Sequence, residues 1–405
     1  MRKHRLVAVG ATLLAATMAF SACGSRAEEG GTTGESTTKV AKIGVVAPLS
    51  GDLSALGLGI KNSVDLAIKQ ANESNAIPGW KLELAAEDDE AKPDVGKNAA
   101  TKLVGDDQVV GVVGPLNSSV SQSIQPVFAA ANVVQVSPAN TGPALTRGPD
   151  PANPQRPYKT FFRTCTTDTV QGGVAAQYLY STVGLKKVAT IHDKKTYGQG
   201  LVSAFTAEFT KLGGKIVAAE TINPDDKDFS AVINKVKGAS PEAVFYGGEY
   251  PQAGPLSQQM KAAGLNVPLM GGDGIFDPAF IELAGKTSEG DLATSVGAPT
   301  DKLESAKAFV EAYSAAGFKE PYAAYGAASY DAANAIINAL KVSLKDAPDA
   351  KSAREATVTE VGKVSFEGAT GPVAFDEFGD TTTKIITAYK VSGGKWVAET
   401  TKELQ

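Results

Sequence analysis

Polar residues able to do chemistry cluster just downstream of short apolar runs. After Val113 come Gly114, Pro115, Leu116, Asn117, Ser118 and Ser119, and the pattern then turns helical. After Val136 come Ser137, Pro138, Ala139, Asn140 and Thr141. These stretches offer hydroxyls and the unpaired N–H groups of a helix start, a donor set that suits a carboxylate. A second group differs in kind. Ile191 leads into His192, Asp193, Lys194, Lys195, Thr196, Tyr197 and Gly198; Tyr246 leads into Gly247, Gly248 and Glu249; Met270 leads into Gly271, Gly272, Asp273 and Gly274. Glu249 and Asp273 can accept from an ammonium, and Tyr197 adds an aromatic wall with a hydroxyl. The loop after Leu53 contributes an apolar side chain, Leu56. Donors on one side and acids on the other match a zwitterion, and a free α-amino acid has that form.

Catalysis is harder to assemble. The chain has 2 histidines, His4 near the N-terminus and His192. No Ser-His-Asp or Cys-His arrangement in the body can be built without His192, which reads as a structural strand-end residue. The 2 cysteines are Cys23 and Cys165, so no internal disulfide or CxxC metal motif is available to the body. Cys165 ends the strand-like run Phe161-Phe162-Arg163-Thr164-Cys165 and reads as a small buried residue. Gly285-Lys286-Thr287 resembles part of a phosphate loop, but Phe280 stands where that loop needs its first glycine. No Gly-x-Gly-x-x-Gly follows the first strand. The expectation is a binding protein without enzymatic activity, cofactor or metal.

The elements that must hold these residues alternate β and α. Strand-like runs fall at Ile43–Val46, Leu82–Leu84, Val109–Val113, Val133–Val136, Val188–Ile191, Ile216–Ala218, Ala243–Tyr246 and Pro268–Met270. Amphipathic segments lie between them, at Ile60–Ala71, Val120–Ala131, Val170–Tyr180, Leu201–Leu212, Phe229–Val236 and Leu256–Ala263. Apolar strands joined by helical crossovers predict parallel sheets covered on both faces, and two consecutive sets predict two doubly wound lobes. Ligands of such sheets bind beyond the carboxyl ends of the strands, where the polar clusters sit. The proline-rich stretch 142–158 divides the sets. Two helical patterns follow, at Leu303–Ala316 and Tyr322–Val342, and the end reads as β-hairpins from Val364 onward. This order predicts a first lobe of residues 40–160 plus 297–377 and a second of 161–296 plus 378–405, joined by several crossover hinge strands.

The 405 residues fit two such lobes. Without residues 1–22, which hold three basic residues and no acid, the formal charge falls from −5 to −8. An acidic surface of this kind excludes nucleic acid as a natural partner. The N-terminus reads as a targeting segment: basic Arg2, Lys3, His4 and Arg5, an apolar stretch from Leu6 to Phe20, then Ser21-Ala22-Cys23. The apolar stretch is short for a membrane span, which needs about 20 residues. Residues 1–22 are therefore expected to be a signal peptide. Small residues before a cysteine resemble the lipobox of bacterial lipoproteins, so Cys23 is expected to carry lipid and anchor the chain to the cell membrane. Residues 24–39, rich in Gly, Ser, Thr and Glu, are expected to form a flexible tether.

Over residues 40–400 the chain resembles the leucine/isoleucine/valine-binding proteins of ABC transporters, which have the type I periplasmic binding fold. The matching stretches are Val45–Gly51 (VVAPLSG), Val136–Thr141 (VSPANT), His192–Gly200 (HDKKTYGQG) and Phe245–Gly248 (FYGG), in the family's order. The resemblance implies an extracytoplasmic monomer that captures a free amino acid, branched-chain in the family, by lobe closure about three hinge strands and delivers it to an ABC permease. It implies that Ser118 and the Ala139-Asn140-Thr141 loop hold the ligand carboxylate. Asp273 and Tyr197 would meet the ammonium, and Tyr322 would line the pocket. The sequence departs from the family at Leu56, where an aromatic commonly stands, and at Glu249, where a tyrosine is frequent. Asn117 occupies a position of the disulfide found in some relatives. The alternative expectation is a sensor of the same fold that binds an amide or another amino-acid-like ligand.

Overall fold

A computed structural model describes residues 38–404. The signal peptide, Cys23 and nearly all of the tether lie outside the described residues. Lys39, counted above with the tether, is the first residue of the first strand.

Branched residues in unbroken runs favour strands buried on both faces. The first half of the chain supplies β1 (Lys39–Ala47), β2 (Trp80–Asp88), β3 (Val109–Val113), β4 (Val134–Ser137) and β5 (Phe161–Arg163). They form one wholly parallel sheet in the order β2-β1-β3-β4-β5. Every residue of β3 is buried. The crossovers are α1 (Ser54–Glu73), α2 (Pro93–Gly105), α3 (Ser118–Ala130) and the short α4 (Ala144–Arg147).

The second set begins with α5 (Asp168–Gln177) and continues with β6 (Lys187–His192), α6 (Thr196–Lys211), β7 (Lys215–Thr221) and α7 (Ser230–Gly238). It is completed by β8 (Ala243–Gly247), α8 (Tyr250–Ala262), β9 (Leu269–Gly271), α9 (Pro278–Ala284) and β10 (Leu292–Val296). Three helices follow, α10 (Lys307–Ala315), α11 (Gly326–Ser343) and α12 (Arg354–Val361). Of these, α11 and α12 pack back against β3 and β4 of the first sheet. A small hairpin of β11 (Ser365–Gly368) and β12 (Gly371–Ala374) stands apart from both sheets. The last strands, β13 (Ile385–Ser392) and β14 (Lys395–Glu403), pair antiparallel at the edge of the second sheet, beyond β10. The second sheet therefore runs β14-β13-β10-β9-β8-β6-β7.

The chain passes between the sheets three times: after β5, after β10 and before β13. One expected boundary is corrected. Phe161–Arg163 was assigned to the second lobe, but β5 pairs parallel with β4, Gln135 facing Phe161, so the crossing falls after Arg163. The reason is local. Arg163 is fully buried and donates from Nη1 to the carbonyls of Asn140 (2.7 Å) and Gly142 (2.8 Å), which ties β5 to the loop after β4.

Candidate functional site

Residues that follow β3 and β4 meet residues that follow β6, β8 and β9 across a cleft, at the carboxyl ends of the strands of both sheets. A small cavity lies there, lined on one side by Leu56, Leu116, Asn117, Ser118 and Ala139. Tyr197, Glu249, Asp273 and Gly274 line the other, and Tyr325, at the N-cap of α11, completes the first.

The donor side is built on the start of α3. Ser118 is its first residue; the N–H groups of Val120 and Ser121 donate to the Asn117 carbonyl (3.1 Å each), which leaves those of Ser118 and Ser119 as the helix-start donors. The loop after β4 is locked by Ser137, whose hydroxyl donates to the carbonyl of Pro115 (2.9 Å) and accepts from the N–H of Asn140 (3.0 Å). Asn140 turns away from the cavity: its Nδ2 donates to the carbonyl of Leu116 (2.7 Å) and its Oδ1 accepts from Ser121 (2.5 Å). Its contribution is to the shape of the loop. Thr141 is fully buried, and its hydroxyl has no hydrogen-bond partner among the described residues.

The acid side centres on Asp273, 1 % exposed. Its Oδ1 accepts from the Tyr197 hydroxyl (2.8 Å) and from Gln171 Nε2 (2.9 Å), and its Oδ2 accepts from the Tyr325 hydroxyl (2.9 Å). Gly272 lets Tyr197 come this close, since a Cβ there would stand 2.5 Å from the Tyr197 hydroxyl oxygen. Burial pushes the Asp273 carboxyl up to about 6, against the pull of the two tyrosine hydroxyls. Burial, then the Asp273 charge, raises both tyrosine hydroxyls well above their usual range.

Sequence reasoning missed Asp168. It opens α5, is fully buried, and neither of its carboxylate oxygens has a hydrogen-bond partner among the described residues. Its backbone N–H donates to the carbonyl of Thr141 (2.8 Å), which places it beside the donor loop. Burial, and then repulsion from Asp273, pushes its carboxyl up to about 8. The signal was present as an acid on the first turn of an expected helix, where it reads as ordinary complementation of the helix dipole.

Tyr322 does not line the cavity. It packs edge-on against Phe309 (5.5 Å between centroids) and Tyr313 (5.7 Å) in a separate aromatic cluster. The helix expected from Tyr322 starts at Gly326, because Ala323 adopts a left-handed φ of 53° and interrupts it. Three residues on, Tyr325 occupies the cavity wall instead. His192 ends β6 and accepts at Nδ1 from the N–H of Lys194 (3.0 Å), a strand-end role. Cys165 is buried, and burial holds its thiol well above the usual range.

One parallel and one mostly parallel sheet joined by three crossings, with a polar cavity between their strand ends, define a ligand-capturing protein of the type I periplasmic binding fold. A family model described as periplasmic binding protein matches residues 40–395. The chain is 34% identical over 357 residues to the Leu/Ile/Val-binding protein BraC3 of Rhizobium johnstonii, spanning 88% of this chain and 93% of that protein. It is similar in structure to a leucine binding protein, LivK, from Thermotoga maritima, with TM-score 0.79, 30% identity, and 89% and 98% of the two chains covered. It is also similar to the branched-chain amino acid transporter substrate binding protein LivJ of Streptococcus pneumoniae, solved in complex with isoleucine. There the TM-score is 0.78 and the identity 28%, with 90% and 99% of the two chains covered. The chain belongs to the Leu/Ile/Val-binding protein family.

Proposed function

We propose that this protein is an extracytoplasmic solute-binding lipoprotein that captures a free α-amino acid between its lobes and delivers it to an ABC importer. The observation that carries the reading is one small cavity with anion donors on one wall and two buried acids on the other. The ligand carboxylate takes the Ser118 and Thr141 hydroxyls and the N–H groups opening α3. The ammonium takes Asp273, held by Tyr197, with Asp168 behind it. The side chain extends toward Leu56 and Leu116, and leucine, isoleucine and valine, named for the relatives, are the first ligands to test. The signal peptide of residues 1–22 directs export and is removed, and a lipid on Cys23 keeps the monomeric body at the membrane beside its permease.

A thermal-shift screen of the twenty amino acids against the purified protein tests the reading, because a ligand of the native state raises the melting temperature. At least one amino acid should do so, while benzoate, an anion without an ammonium, should not. Calorimetry on Asp273→Asn should show a ten- to over a hundredfold loss of affinity for that ligand, the worth of a hydrogen bond to a charged group of about 1.5–3 kcal/mol. Unchanged affinity would remove Asp273 from the site.

A further inference from the structure

The side-chain end of the cavity is not wholly apolar. Asn117 is the N-cap residue of α3 and Glu249 that of α8, and neither side chain caps its own helix. Instead Asn117 Nδ2 donates to Glu249 Oε1 at 2.5 Å, across the cleft. Lys195 Nζ donates to the other carboxylate oxygen at 2.7 Å, so both Glu249 oxygens are engaged. A carboxylate only accepts, which fixes the Asn117 amide with Nδ2 toward Glu249 and Oδ1 turned away from it. That Oδ1 is buried and has no hydrogen-bond partner among the described residues, on a side chain 3 % exposed. Asn117 and Glu249 line the same cavity as Leu56 and Leu116.

From this we infer that Asn117 and Glu249 select, among small amino acids, side chains carrying a neutral O–H or N–H donor over aliphatic side chains of the same shape. The inference rests on the amino-acid reading of the site and deepens it. An aliphatic side chain leaves the Asn117 carbonyl oxygen buried and unpaired; a hydroxyl or carboxamide donates to it. An anionic side chain meets the Glu249 charge, and a cationic one meets Lys195. Sites built to pair a polar group discriminate strongly against the analogue that lacks it, whereas apolar pockets do not.

The test is calorimetry on the folded protein with two near-isosteric pairs, threonine against valine and asparagine against leucine. Threonine and asparagine should bind about tenfold tighter or more than their aliphatic counterparts. Equal or tighter binding of valine and leucine overturns the inference and leaves the amino-acid reading intact. If none of the twenty amino acids binds, both fall. Asn117→Leu, or Glu249→Met should the first variant not fold, should bring the threonine-to-valine ratio to about one, with melting curves confirming the fold. A ratio that stays at the wild-type value in a folded variant also overturns it.

Discussion

At the scale of residues, Asp168 and Asp273 set the pH response of the site. An ordinary carboxyl titrates near 4, whereas Asp273 titrates at about 6 and Asp168 at about 8, chiefly because both are buried. Between about pH 4 and 8 these two sites therefore hold more protons in the folded protein than in the unfolded chain. Their contribution to the stability of the ligand-free protein is fully present below that window and is lost as pH rises through it. An ammonium placed against both acids favours their ionised forms, so binding should release close to one proton at pH 7, and affinity should rise from pH 5 to 8. Calorimetry in buffers of differing ionisation heat measures that proton, and Asp168→Asn should abolish most of it. Heats that do not depend on the buffer would contradict the assignment. Ser118, Tyr197 and Asp273 were legible because each stands where a strand gives way to a helix or turn. Asp168 was not, because an acid opening a helix is commonplace and its burial comes from packing distant in sequence. The resemblance points to Tyr322, and nothing in the sequence hints that Ala323 takes a left-handed φ and that Tyr325 lines the cavity instead.

At the scale of elements, Arg163 is the tie between the ligand loop and the chain crossing before β13. Its guanidinium is fully buried, donates from Nε to Asp380 Oδ1 at 2.7 Å, and donates from Nη2 to the Thr146 hydroxyl. Arg147 reaches the same segment, pairing with Asp380 at 2.8 Å and Asp376 at 2.7 Å. Burial alone would raise the Asp380 carboxyl; Arg163 and the hydrogen bonds around it outweigh burial and hold it below the usual range. Without Arg163, Asp380 keeps its Arg147 partner, but the carbonyls of Asn140 and Gly142 lose a buried donor, at about 1–3 kcal/mol. Arg163→Met should lower unfolding stability by that amount in urea titrations and also weaken ligand affinity, because the Asn140 and Gly142 carbonyls lose their anchor. An unchanged denaturation midpoint would show that the network is dispensable. The alternation of strands and helices was readable along nearly the whole chain, since parallel strands buried on both faces announce themselves as Val- and Ile-rich runs. The side on which β5 pairs was not: a three-residue strand after a proline-rich connection carries no periodicity, and Arg163, charged and fully buried, gives no sign in sequence of which sheet it serves.

At the scale of the whole molecule, the cleft is held shut by contacts that join the two halves. Tyr325 reaches Asp273, Asn117 reaches Glu249, and Thr196 Oγ1 donates to Gln122 Oε1 at 3.0 Å. The Tyr250 hydroxyl donates to the carbonyl of Asp52 at the cleft mouth. These contacts are few and polar, and Asp168, Asp273 and Glu249 are all buried in this arrangement. Without a cation between them, desolvating and crowding those acids opposes closure; opening at the three crossings returns them to water. A ligand that engages both walls only when they meet shifts the balance toward the closed form, and a near-complete shift needs about 10⁴-fold preference, roughly 5.5 kcal/mol. Small-angle scattering should therefore give a larger radius of gyration for the ligand-free protein than at saturation, with the gap narrowing as pH falls toward 5 and the acids take up protons. Equal radii with and without a saturating amino acid at neutral pH would mean that the sheets do not move apart, and that the ligand reaches its cavity by another route.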